Sequence, residues 1–97
     1  MIIRKPIEFL WDKGNQDKNW FKHKVKAKEC EEVFLDDHKK IAKDKFHSKG
    51  EKRFIILGKT KKMRLLYLVF TVRNQKIRAI SARDINRKER KLYEKTA

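Results

Sequence analysis

Between Arg64 and Arg73 the chain reads Leu-Leu-Tyr-Leu-Val-Phe-Thr-Val, apolar at nearly every position and rich in β-branched and aromatic residues. A strand with one wet face alternates polar and apolar side chains, whereas one apolar on both faces must be covered on both. The stretch therefore predicts a central strand over 64–73, and with it a sheet. Asn74-Gln75 predicts a tight hairpin, though Asn-Gly would be the stronger signal, with Lys76–Ala82 as the partner strand. Lys52–Leu57 reads as a further strand, followed by a basic loop over 58–63 that holds Lys59, Lys61 and Lys62. The longest apolar run, Leu65 to Val72, is far short of the ~20 residues that cross a bilayer, so no membrane role is expected.

Before residue 40 the period is helical. Ile7, Phe9 and Trp11 alternate as a short strand would. Asp12 is placed to cap a helix running to Lys22 or His23, with Gly14 weakening its first turn. Ala27, Cys30, Val33 and Phe34 fall at helical spacing opposite Lys28, Glu29, Glu31 and Glu32, which predicts a second helix over 27–35. Asp36-Asp37-His38 turns the chain, and 39–47 reads equally as a weak strand or a short helix. Asn86 and Glu89 form an N-x-x-E capping box opening a last helix over 87–95. Ninety-seven residues without repeats or linkers fit one domain. The expected class is α+β: helices on one face of an antiparallel sheet, the other face left free.

Charge points to the ligand. The chain carries 28 Lys and Arg against 13 Asp and Glu, net +15. Residues 1–50 hold 13 basic and 9 acidic side chains; residues 51–97 hold 15 and 4. So uneven an excess is best compensated by a polyanion, through release of its counterions, and next best by an acidic protein. One cysteine excludes an internal disulfide and suits a reducing cytosol, and three scattered histidines with it write no structural zinc motif. Met1 to Pro6 lacks the apolar run of a secretory signal, so the expected location is cytoplasmic, and no cofactor is expected.

A series of short words runs through the chain in order: Phe9-x-Trp11-Asp12, Asn19-x-x-Lys22-His23-x-Val25, Val33-Phe34-x-Asp36 and His47-Ser48-x-x-Glu51-x-Arg53. Leu57-Gly58, Arg64-Leu65-Leu66, Phe70-Thr71-x-Arg73, Ile77-Arg78-x-Ile80-Ser81-Ala82-Arg83 and Glu89-Arg90-x-x-Tyr93 follow. The set, spanning about residues 9–93, resembles the BrnT family of bacterial type II toxins. The resemblance implies a small RelE-like domain over 1–97 and an endoribonuclease that shuts down translation. It also implies a DNA-binding BrnA-like antitoxin, through which alone the toxin would reach operator DNA. Where the family usually has Lys, Gly and an aromatic, this chain has Asn15, Lys24 and Ala27. Trp20 and Phe21 are candidates for the antitoxin surface.

The chemistry can be set out from the residues alone. RNA cleavage without a metal needs the 2′-hydroxyl to attack the adjacent phosphorus. A base takes its proton, cations hold the phosphorane charge, and an acid protonates the leaving 5′-oxygen. His23, His47 and Glu51 can move protons, and Arg53 and Arg83 can hold charge; these are the catalytic candidates. Lys22, Lys61, Lys62, Arg64, Arg73, Arg78, Arg87 and Arg90 are candidates for contacts along the RNA. Arg64, Arg73, Arg78 and Arg83 flank or lie within one hairpin and are expected to converge. On a regular last strand, however, Arg83 shares a face with Ile77 and Ala79 while Arg78 points the other way. A bulge or twist is needed to bring both to one site. Each candidate also has a plainer role: His23 as complement to a helix C-terminus, His47 and Glu51 as a solvated loop pair, the arginines of 87–90 as a wet helix face. A non-catalytic nucleic-acid binder, or one half of a complex that needs its acidic partner, would account for the same charge.

Overall fold

The computed structural model describes residues 6–45 and 50–95, with the side chains of 18–22 set aside. In chain order it has α1 (Lys13–His23), α2 (Ala27–Val33), β1 (Lys40–Lys43), β2 (Phe54–Lys59), β3 (Leu65–Arg73), β4 (Lys76–Asp84) and α3 (Arg87–Glu94). The strands form one antiparallel sheet in the order β1-β2-β3-β4. The apolar run is interior, as its two-sided pattern requires. Leu66, Leu68 and Phe70 enter a core with Val33, Cys30, Phe34, Ile56 and Ile77. Phe34 is the keystone of that core, set edge-on to Phe70 at 5.0 Å and to Phe9 at 5.4 Å. Cys30 packs inside it, and burial pushes its thiol up to about 12, which leaves it an inert apolar filler.

The second face of the sheet is not left free. Leu57 and Leu65 point to it and pack against Tyr93 of α3, joined by Ile55, Tyr67 and Ile85. The Tyr93 hydroxyl donates to Asp36 Oδ2 at 2.5 Å, and the same oxygen accepts the Lys59 amide at 2.9 Å. One carboxylate thus ties the turn after α2, the end of β2 and the last helix together. The capping box opens α3 with Asn86 accepting the Glu89 amide at 2.8 Å and Glu89 accepting the Asn86 amide at 2.9 Å.

Local chemistry explains the differences from the sequence pattern. The 7–11 segment makes a single parallel bridge, Phe9 to Ile77, because α1 begins directly after it. The 40–43 segment resolves as a strand, Ile41 joining the core. β2 extends through Gly58 and Lys59, which pair with Leu66 and Leu65. Asn74 and Gln75 take φ of 49° and 67°, the doubly left-handed geometry of a type I′ hairpin. His47, Trp20 and Phe21 lie outside the described residues and side chains.

Lys24 follows α1 at φ 55°, a left-handed position that glycine occupies without strain. Its carbonyl and that of His23 accept Arg64 Nη1 and Nη2 at 2.9 and 3.2 Å, so the helix end is capped by an arginine. Lys24→Gly is expected to stabilise the fold by up to about 1 kcal/mol, the relief of a side chain in the left-handed region less the added chain entropy. Thermal unfolding should show a rise of a few degrees, on the scale of ~4–8 °C per kcal/mol for a domain this size. An unchanged midpoint would mean the strain at Lys24 is no larger than the chain entropy that glycine adds.

Candidate functional site

The sequence required an irregularity for Arg78 and Arg83 to share a face, and β4 contains one. Val69 pairs with Ser81 but Phe70 pairs with Ala79, leaving Ile80 as an extra residue. Before the bulge Ile77 and Ala79 face the core; after it Ala82 does. Arg78 and Arg83 therefore both point to the second face. They sit opposite Thr71 and Tyr67, four residues apart on β3, which is about 13 Å.

Arg78 belongs to a cleft of about 240 Å³ lined by Glu51, Arg53, Arg73 and Arg78, with Asn15 and Ile80 at its wall. The elements place these groups as follows. Thr71, buried on β3, donates its hydroxyl to the Lys52 carbonyl at 2.7 Å, which holds the 51–53 segment beside the end of β3. Glu51 then meets Arg73 in a two-pronged pair, Nε to Oε2 at 2.7 Å and Nη2 to Oε1 at 3.0 Å. The Arg73 guanidinium holds the Glu51 carboxyl below its ordinary range, with Arg53 and Arg78 adding to the pull at longer reach. Glu51 is a carboxylate at neutral pH, surrounded by three arginines.

The other wall is built by α1. Asn15 and Asp12 cap the helix reciprocally, Asn15 N to Asp12 Oδ1 at 2.9 Å and Asp12 N to Asn15 Oδ1 at 2.7 Å. The Asn15 amide donates to the carbonyls of Leu10 and Ala79, both at 3.2 Å, bolting the helix to β4. Asp12 Oδ2 accepts Arg78 Nη1 at 2.7 Å, and its carboxyl is lowered first by the Asn15 cap and then by Arg78. Asn15 is thus a strut of the cleft. Asp12 as the cap of α1 was readable in the sequence; the bond from Asn15 to Ala79, 64 residues away, was not.

The remaining candidates lie elsewhere. Arg64 and Arg73 bracket β3 nine residues apart, about 30 Å along a strand, so the four hairpin arginines do not converge. Arg64 is committed to structure: Asp84 at 2.7 Å, Glu29 at 3.2 Å and the carbonyls ending α1. His23 sits with it, at the far end of the sheet from Glu51. Lys61 and Lys62 are exposed in the turn beside Arg64, the Lys61 amide donating to Glu32. Arg83 is sandwiched: its guanidinium lies 4.0 Å over the Tyr67 ring and forks onto Glu89, both bonds at 2.8 Å. Arg87 and Arg90 are exposed on α3. Lys22 has its side chain among those set aside, and His47 lies outside the described residues. Among the described residues no group of three or more His, Cys, Asp or Glu gathers as a metal site, and no helix is long and apolar enough to cross a membrane.

The cleft thus sets one carboxylate among three arginines, whose guanidinium groups match carboxylate and phosphate oxygens alike. Residues 11–89 match the family model described as the ribonuclease toxin, BrnT, of a type II toxin–antitoxin system, and the chain belongs to that family. No curated protein matches it. Membership implies an RNA target and an antitoxin partner.

Proposed function

We propose that this protein is the toxin of a type II pair, a RelE-like endoribonuclease that works in the cytosol and arrests translation by cutting RNA. The observation that carries the reading is the convergence of Glu51, Arg53, Arg73 and Arg78 in one cleft on the open part of the sheet. In this reading the scissile phosphate enters among the arginines and displaces one carboxylate contact of Arg73. Glu51, held ionised, takes the 2′-hydroxyl proton as the oxygen attacks phosphorus. Arg73 and Arg78 hold the charge that builds on the phosphorane oxygens, and Arg53 orients the strand. The proton for the leaving 5′-oxygen is assigned to His47, four residues before Glu51 in sequence. These side chains supply every proton and charge the step requires, so the cleavage is written without a metal. A BrnA-like antitoxin neutralises the toxin and brings it to operator DNA.

The test is a pH–rate profile on single-stranded RNA for the parent and for Arg73→Ala. The parent should yield fragments ending in a 2′,3′-cyclic phosphate. Because an opposite charge favours the ionised form, the acidic limb of the parent should lie below the ordinary glutamate value of about 4.3, and Arg73→Ala should move it upward while lowering the plateau. Fragments with an unmoved limb would remove the Glu51–Arg73 pair from the machinery. An intact, shifted RNA band would make the protein a binder instead, acting through phosphate contacts alone.

A further inference from the structure

A second basic feature lies away from the Glu51 cleft. β1 is an edge strand, and no described residue pairs with its outer side. The Asp44 amide donates to the Arg53 carbonyl at 2.8 Å, which makes 44–53 a hydrogen-bonded pair. Alternation along the ladder then turns the amides and carbonyls of Lys40 and Ala42 toward β2, and those of Ile41 and Lys43 outward. Beside the start of this strand is a groove of about 440 Å³, lined by Lys39, Lys40, Lys59 and Lys95 together with His38 and Tyr93. Two carboxylates, Asp37 and Glu94, also line it, leaving the balance basic. The Lys59 ammonium lies 5.9 Å over the Tyr93 ring, and Lys39 Nζ donates to the Asp36 carbonyl at 3.3 Å.

We propose that the β1 edge and its lysine groove dock an extended acidic segment of a partner protein, which adds a fifth strand to the sheet. The outward amides and carbonyls of Ile41 and Lys43 are peptide-specific partners that an RNA backbone does not match. The lysines set the sign of the incoming strand. They also repel a second copy of this chain, since Lys40 and Lys43 would meet their own equivalents across the new ladder. The proposal does not depend on the ribonuclease reading.

The probe is a fluorescein-labelled decapeptide alternating glutamate and valine, followed by polarisation in low salt. A lysine–valine decapeptide and decauridylate serve as comparisons. The acidic peptide is expected to bind and the lysine–valine peptide not to, with added protection of the Ile41 and Lys43 amides from hydrogen exchange, and decauridylate, which enters the separate Glu51 cleft, should not displace the peptide. Ile41→Pro removes an outward donor without touching the β2 ladder, and proline is tolerated at such edge positions. It should weaken the peptide at least tenfold; because Ile41 also packs on the core, Ile41→Ala, which loses the same contact but keeps the donor, is the control and should bind as the parent does. Lys40→Glu with Lys59→Glu should abolish binding and leave the fold intact. No binding of the acidic peptide, or equal binding to Ile41→Pro, overturns the strand-addition proposal. Displacement by decauridylate with no added amide protection would make the groove an RNA contact.

Discussion

Glu51→Gln is expected to lower the rate of RNA cleavage by about 10²–10⁴-fold, the range for losing a positioned general base. The amide keeps the shape of the side chain and offers Arg73 one acceptor oxygen, so one prong of the contact is lost along with the charge. It cannot take a proton from the 2′-hydroxyl. Binding should hold or tighten, because removing a carboxylate from among three arginines leaves them more attractive to phosphate. Single-turnover cleavage with saturating protein separates the two effects: a fall in the rate constant at unchanged or lower Kd is the expected signature. A variant cleaving at the parental rate would mean Glu51 serves only to hold Arg73, and the base would have to be sought elsewhere.

The cleft explains why composition alone overstates the free charge. Four arginines that looked like a phosphate-binding set each already have a carboxylate partner: Arg64 with Asp84 and Glu29, Arg73 with Glu51, Arg78 with Asp12, Arg83 with Glu89. Those pairs span 20 or more residues of sequence in every case except Arg83–Glu89. No local spacing announces them. Arg83 shows the consequence most clearly. Its place in a motif made it a leading candidate, yet the fork that would grip a phosphate closes on Glu89, whose side chain is only 13% exposed. The Tyr67 ring covers its face. Those contacts fasten α3 to the sheet.

What was legible follows the same division between local and distant causes. The central strand, the hairpin turn, the cap of α3 and the apolar stripe of α2 were readable because each is set by residues within a few positions of one another. The need for a bulge in β4 was readable from parity alone, since Arg78 and Arg83 are an odd number of residues apart. Its location at Ile80 was not, because it depends on which β3 residue each β4 residue meets. The end of β2 was misread for a physical reason: Gly58 and Lys59 look like loop residues, but the sheet pairs them with Leu66 and Leu65. That α3 lies on the second face was hidden as well, because its Tyr93 hydroxyl is held by Asp36, 57 residues away.

Gly58 carries the second large expectation. Its φ is ordinary for a strand, so conformational freedom does not explain a glycine there. A Cβ built at this position would lie 2.5 Å from Val33 Cγ1 and 2.9 Å from the Val33 carbonyl oxygen. The missing side chain is what allows the last turn of α2 to lie directly on β2, and it accounts for glycine in the Leu57-Gly58 word. Val33 is fully buried beside Phe34, so it has no free rotamer to retreat into, and a backbone oxygen has none at all. Gly58→Ala must lift α2 off the sheet and loosen the Phe34–Phe70 contact beneath it. We expect a destabilisation of about 1–3 kcal/mol, the range for overpacking a filled core. That is a fall in melting temperature on the order of 10 °C for a domain of this size. The Glu51 cleft lies at the other end of β2, so cleavage at temperatures well below melting should be retained. A variant that melts with the parent would show that α2 can shift freely, and that the close approach at Gly58 does not limit the fold.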